Sequence, residues 1–335
     1  MRGFKVGTCR SWLLAALLTL PLAACEKGRD PTNPGGGPDP GPGDGPWLSQ
    51  IVLVAPEADF INDEAPDWSP DGRWIVFSAR WASSIWKTST TPDDLPLLIT
   101  DPEVTIWSEG SYTPGFLGDG RIFYYQGWTA SEQIMRVMAA GPDQIEAEPP
   151  PTRLRYFSGP DVGLAENQAS SPHLFSMSGY GTRAVGRWRS VYTLDWTDGR
   201  NPGAPISRRP EILVGSPSLR ISRDGSRIVF ETPEGLIAWM DFESDEAEAI
   251  GTGRYPSWRG DGDAIGYVSA DGRYYKVHNL VSGTTVSYWT SGAELRHATL
   301  SWDGRKIAYL NGDGAYLVLG YGVLNAGGYP QSDAD

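Results

Sequence analysis

Three histidines, two cysteines and a few acid-rich stretches are the groups in this 335-residue chain whose chemistry could exceed a structural role. A metal-dependent site would need several His or carboxylate ligands converging on one point. His173 and His297 fall near the starts of repeated segments. His278 follows Tyr274-Tyr275-Lys276-Val277 in a strand-like run and reads as structural. The acids run from Asp59 to Asp67 and from Asp241 to Glu248, with Gly260-Asp261-Gly262-Asp263 and Asn311-Gly312-Asp313-Gly314 beside them. Calcium asks for six to eight oxygens from a fixed loop, and no EF-hand-like spacing is present, so turns and solvated faces account for these acids. A serine hydrolase would need a Gly-x-Ser-x-Gly elbow on a separate α/β domain, and the sequence holds neither. These residues predict no enzyme, no cofactor and no metal.

Both cysteines, Cys9 and Cys25, lie in the N-terminal segment, so the remainder has neither a disulfide nor a cysteine-based metal site. Residues 1–24 have the parts of a secretory signal. Arg2, Lys5 and Arg10 make a basic start, and Trp12 to Leu20 make an apolar run too short to span a bilayer. Leu22-Ala23-Ala24-Cys25 resembles a bacterial lipobox, and the resemblance implies that Cys25 is lipidated and becomes the mature N-terminus. In enterobacterial lipoproteins an Asp after the Cys favours inner-membrane retention; Glu26 stands there instead, so the resemblance implies the outer membrane, facing the periplasm. In residues 31–46, 12 of 16 are Pro or Gly, so 25–47 is expected to be a lipidated cysteine and a disordered tether.

Removing Arg2, Lys5 and Arg10 with the leader takes the net charge from −13 to −16. Such a chain lacks the phosphate-neutralising charge on which nucleic-acid affinity rests, and no nucleic-acid partner is expected. A monomer is expected. The 14 Trp, 15 Tyr and 9 Phe supply a large core, and 41 Gly with 27 Pro suit many short strands joined by tight turns.

The elements that must position these residues repeat. Ala65-Pro66-Asp67-Trp68-Ser69-Pro70-Asp71-Gly72 leads into Arg73-Trp74-Ile75-Val76-Phe77-Ser78, and similar stretches begin at Ser216, Tyr255 and Thr299. Weaker copies begin at Tyr112 and Ser171, the latter without Asp-Gly. Turn glycines at 72, 120, 181, 225, 262 and 304 are spaced 48, 61, 44, 37 and 42 residues apart, against about 40–50 for a four-stranded propeller blade. Asp-Gly marks a hairpin because glycine takes the positive φ that a tight reversal demands. The tryptophans at matching places, Trp68 and Trp258, are expected to pack the core.

Residues 66–77 resemble the Pro-x-Trp-Ser-Pro-Asp-Gly-x-x-Ile-x-Phe signature of TolB-like propellers, a resemblance extending over roughly residues 50–322. It departs at Leu117-Gly118 and at the third copy, and residues 26–50 are too short for the α/β domain that precedes the propeller in TolB. The expectation is an all-β, six-bladed β-propeller of four-stranded antiparallel blades over 48–322, followed by a tail over 323–335. Gln50-Ile51-Val52-Leu53-Val54 has no partner of its own and is expected to become the outer strand of the last blade, closing the ring.

Propellers bind ligands at the channel and its surrounding loops. The residues one before the Trp or first apolar residue of each copy, Asp67, Gly115, His173, Ser218, Ser257 and Thr299, are expected to line the channel and contact a partner. The predicted function is a non-enzymatic cell-envelope lipoprotein, held to the membrane through Cys25, whose channel face binds a protein or peptide. The alternative is a propeller, or a degenerate enzyme on the same fold, that binds a small ligand or glycan.

Overall fold

The computed structural model describes residues 46–49, 51–54, 65–79, 84–91, 94, 96–99, 111–126, 134–140, 152–158, 174–187, 191–197, 206–209, 212, 214, 218–290, 294–312 and 318–325. The signal segment, Cys25 and the Pro/Gly-rich stretch lie outside them, as does His173. Every described element is a β-strand.

The pairings define, among the described residues, six antiparallel units of four strands. Unit 1 holds β3 (Asp67–Trp68), β4 (Trp74–Ala79), β5 (Ser84–Ser89) and β6 (Leu97–Leu98). Unit 2 holds β7 (Ser111–Phe116), β8 (Ile122–Gln126), β9 (Ile134–Ala140) and β10 (Thr152–Ser158). Unit 3 holds β11 (Leu174–Met177), β12 (Arg183–Arg187), β13 (Val191–Asp195) and β14 (Ile206–Arg209). Unit 4 holds β15 (Leu219–Ile221), β16 (Arg227–Glu231), β17 (Leu236–Asp241) and the first half of β18 (Glu248–Trp258). Unit 5 takes the second half of β18 as its inner strand, then β19 (Ala264–Ser269), β20 (Tyr274–Asn279) and β21 (Thr284–Trp289). Unit 6 holds β22 (Arg296–Leu300), β23 (Lys306–Asn311), β24 (Val318–Asn325) and β2 (Ile51–Val54).

Each inner strand lies against that of the next unit, and β22 returns to β3, so the units close a ring and the fold is an all-β propeller. The pairing of β2 with β24 is the ring closure expected from residues 50–54. A second clasp was not legible: β1 (Trp47–Leu48) pairs in parallel with β21 and antiparallel with β24, joining units 5 and 6. Strand β24 also runs to Asn325, three residues beyond the expected end of the propeller.

The core is a set of layers between units. Trp68, Ile75 and Phe77 of unit 1 pack on Ala308, Leu310, Leu319 and Tyr321 of unit 6. Similar layers join units 1 and 2 through Val76, Ile85, Phe116 and Ile122, and units 5 and 6 through Leu48, Tyr275, Leu300 and Ile307. Burying a large apolar side chain such as Trp68 in this layer stabilises the fold by about 1.5–3 kcal/mol.

The repeated turn follows from its letters. Ser69 Oγ donates to Asp71 Oδ1 at 2.6 Å and accepts from the Trp74 amide at 2.9 Å, while the Arg73 amide donates to Asp71 at 3.0 Å. Gly72 sits at φ +67°, which a side chain would oppose. Ser301-Trp302-Asp303-Gly304 repeats the clamp, with Ser301 donating to Asp303 at 2.6 Å and the Arg305 amide donating to the same carboxylate at 3.0 Å. The third copy lacks the Asp, yet Gly181 still takes φ +66° and Ser178 Oγ accepts from the Arg183 amide at 3.2 Å.

Candidate functional site

Inner strands of neighbouring units are not paired as a sheet, so backbone groups along their edges need other partners. Counting five residues back from each turn glycine gives one level of the channel: Asp67, Gly115, Ser176, Arg220, Ser257 and Thr299. All six line one cavity of about 30 Å³. Asp67 Oδ2 accepts from the Phe116 amide of the next unit at 2.8 Å, Ser176 Oγ from Ile221 at 3.2 Å, and Ser257 Oγ from Leu300 at 2.9 Å. Between other units tryptophans do this work. Trp68 Nε1 donates to Thr299 O at 3.0 Å, and Trp258 Nε1 donates to Arg220 O at 3.2 Å. Both indoles are buried, as their matching places in the repeat implied.

Of the residues expected to line the channel, Asp67, Gly115, Ser257 and Thr299 are brought together at this level. The register in unit 4 is corrected. Ser218 lies two residues ahead of it, buried at the start of the inner strand, and Arg220 occupies the level. His173 is outside the described residues, and Ser176 holds the corresponding position. The first apolar residue of a copy is a poor anchor because inner strands begin at different points; the turn glycine is fixed by its backbone angle.

Three residues nearer the turns, a plug shuts the channel. Here the repeat places Pro70, Gly118, Gly179, Arg223, Gly260 and Trp302, four small or ring residues around one arginine and one indole. The Trp302 ring lies 3.6 Å and 3.3 Å from where side chains on Gly118 and Gly179 would begin, and its Nε1 donates to Trp68 O at 3.0 Å. Arg223 stacks on the Trp302 ring at 4.6 Å and forms a two-pronged salt bridge with Asp67, one NH1 contact being 3.1 Å. The same NH1 donates to Phe116 O at 3.2 Å. Both charged side chains are about one-tenth exposed, at 12% and 11%. Removing either partner would leave a largely buried charge without its counter-charge.

The opposite mouth, at the starts of the inner strands, is built differently. Thr113, Tyr255 and His297 stand at the same place in units 2, 5 and 6, each in the left-handed region at φ 46°, 55° and 48°. Each sits in a bulge where the ladder with the next strand shifts register. The rings of Tyr255 and His297 meet at 4.8 Å. Left-handed backbone costs non-glycine residues about 1–3 kcal/mol and gathers at functional sites. Sequence reasoning placed His297 near a repeat start but missed Thr113 and Tyr255, since a bulge leaves no mark on apolar alternation. His278, by contrast, is half-buried on β20 with Nδ1 2.9 Å from Thr285 Oγ1, a strand-surface contact.

Among the described residues no group of three or more His, Cys, Asp or Glu is placed to hold a metal ion. The turn aspartates are committed to backbone. Burial raises the pKa of Asp71, Asp224, Asp261 and Asp303, but hydrogen bonds from their own turns and nearby arginines outweigh it and hold all four below 3.8.

The strand order and ring closure define the class, a β-propeller with a channel plugged at its turn mouth. No family model and no curated protein matches the chain. Similar solved structures include TolB from Acinetobacter baumannii, at 12% identity and TM-score 0.45 over 83% of this chain. The match spans 64% of that protein, less than two-thirds of its length. A putative TolB from Agrobacterium tumefaciens is similar at 14% identity and TM-score 0.48, over 85% of this chain and 99% of that one. A chain of the mitotic checkpoint complex is similar at 13% identity and TM-score 0.49, over 93% and 99%.

Proposed function

We propose that this chain is a non-enzymatic cell-envelope lipoprotein, anchored through lipidated Cys25 and tethered by residues 26–47, whose propeller binds a protein or peptide at the strand-start mouth of its channel. The observation that carries the reading is the plugged channel. At the level of Asp67 and Ser257 the remaining space is about 30 Å³, room for a water or two and not for a substrate. Asp67, Ser257 and Thr299 are occupied in joining inner strands, and the partner surface of this reading is the opposite mouth, where half-buried Tyr255 stands beside the buried Thr113 and His297. The lipobox-like Leu22-Ala23-Ala24-Cys25 supports the anchor, and the Pro/Gly run supports a spacer that holds the domain off the lipid.

Chemical crosslinking in intact cells, followed by identification of co-purified envelope proteins, tests the binding reading. Recovery of one dominant protein partner is expected. A monodisperse protein with no crosslinked partner, or one that retains a glycan, argues for the small-ligand alternative. Cys25→Ser is expected to move the protein from the membrane to the soluble fraction; unchanged membrane association would refute lipidation.

A further inference from the structure

Off the channel axis, between units 5 and 6, lies a pocket of about 320 Å³ on the strand-start side. Arg254, Arg273 and Arg296 line it together with Asp271, Glu294 and the Tyr255 side chain. Three arginines on one pocket reverse the sign of a chain whose net charge is −13. Repulsion from distant acids is screened beyond about 8 Å at physiological ionic strength, so the local charges govern what enters.

Arginine at these places is not shared by the repeat, and Arg296 NH1 also donates to Gly312 O at 3.4 Å. Arg254 and Arg296 occupy the same place in the repeat, eight residues before their turn glycines, where the other copies carry Glu64, Tyr112, His173 and Pro217. Positions that build the ring recur from unit to unit; this one takes arginine only in the two units flanking the pocket. Each arginine also precedes a left-handed residue, Tyr255 or His297, in a bulge that shifts the register of its strand. Bulges re-aim side chains at sheet edges and near sites. Arg273 joins them from the β19–β20 turn.

Of the two acids, Asp271 is already engaged. It accepts from Ser269 Oγ at 2.5 Å and from the Arg273 amide at 3.1 Å. Burial raises its pKa, but these bonds and the Arg273 charge bring it below the ordinary value, so it stays ionised and satisfied within its turn. The charged side chains lining the pocket, three arginines and two acids, sum to one positive unit, which suits a single carboxylate better than a phosphate dianion. Guanidinium forks match carboxylates with paired hydrogen bonds. Buried Leu295 and the Tyr255 ring give the same pocket an apolar wall for the neighbouring part of a ligand.

We propose that this pocket binds one carboxylate of a peptide, supplied by a chain terminus or an acidic side chain, beside a small apolar group. The proposal rests on the reading of the propeller as a peptide- or protein-binding module and narrows it to a chemistry and a place. The test is titration of the full-length chain, followed through the arginine Nε–Hε signals assigned by single substitutions. The probes are a blocked tripeptide ending in a free leucine carboxylate, its amidated form, a tripeptide amide with a central glutamate, its glutamine counterpart, and inorganic phosphate. Saturable shifts at Arg254, Arg273 and Arg296 with one of the two acidic peptides are expected, and that peptide identifies the carboxylate source. The matching neutral peptide, and the Arg254→Gln and Arg296→Gln variants, should each bind at least tenfold more weakly, with the thermal midpoint of Arg254→Gln unchanged.

Equal binding of acidic and neutral peptides, no shift with either acidic peptide, or tighter binding of phosphate alone would each overturn the proposal. Crosslinking of Arg254→Gln/Arg296→Gln in cells separates the two readings. Partner capture with silent peptide titrations removes the pocket and leaves the binding module. Loss of all capture from the wild-type chain removes the module.

Discussion

Arg223→Met removes the cation that reaches from unit 4 to unit 1 and leaves Asp67, 11% exposed, with the Phe116 amide as its remaining partner in the plug. Breaking a buried pair by deleting one member costs about 3–5 kcal/mol, because the surviving charge stays largely buried without its counter-charge. Loss of the stacking on Trp302 adds about 0.5–2 kcal/mol. For a domain of this size the sum lowers the thermal midpoint by roughly 6–15 °C. Asp67→Asn strands Arg223 instead and should cost a comparable amount. The double variant Asp67→Asn/Arg223→Met removes both charges and should cost clearly less than the two single changes added, by at least about 2 kcal/mol. Calorimetric melts of the four proteins at neutral pH measure the cycle. Single variants that each shift by under about 1 kcal/mol, or effects additive within about 0.5 kcal/mol, would refute the plug as a coupled unit.

Four further outcomes are expected. Gly115→Ala would place a methyl 2.5 Å from the Phe123 ring and 2.9 Å from Asp67 Oδ2, and overpacking there should cost about 1–3 kcal/mol in urea unfolding. Gly72→Asn, at φ +67° with open space around it, should cost less than Gly115→Ala; the reverse order would contradict the packing. Leu48→Ala should destabilise by about 2–4 kcal/mol, since Leu48 is 2% exposed among Tyr275, Leu300 and Tyr309; a neutral result would remove β1 as a clasp. The acid limit follows from the turn aspartates. Their folded pKa values lie below the unfolded value of 3.8, so the stability they contribute is complete above that pH and is lost as pH falls through the folded values. The thermal midpoint should be nearly flat between pH 7 and pH 5 and fall below about pH 4, and replacing Asp71, Asp224, Asp261 and Asp303 by Asn should flatten that fall.

The turns were legible because their causes are local. A glycine at positive φ and a Ser-x-Asp clamp act within five residues, so each copy announces itself whatever it packs against. The closing strand was legible for the opposite reason, as an apolar run with no neighbour before the first copy. Strand β1 was not, since two residues beside a Pro/Gly run show no period. The shared strand β18 hid in the same way, because Gly251 and Gly253 break the alternation that would mark one continuous element serving two units. The plug left a signal that apolar patterning passes over: at one place in the repeat, Pro70, Gly118, Gly179 and Gly260 leave room for Arg223 and Trp302. The bulged residues Thr113, Tyr255 and His297 left none, for a backbone angle set by ring geometry is not written in a neighbouring side chain.

Site-specific photocrosslinking tests the central claim, that a partner binds the strand-start mouth and not the plugged one. A photoreactive residue at Ala270 stands on the rim of the strand-start side beside Tyr255, and one at Tyr180, 76% exposed, stands on a turn at the plugged side. Both positions are exposed, so incorporation should leave the fold intact, which the thermal midpoint would verify. A protein adduct in intact cells from position 270 and none from position 180 is the predicted result. An adduct from position 180 alone would contradict it.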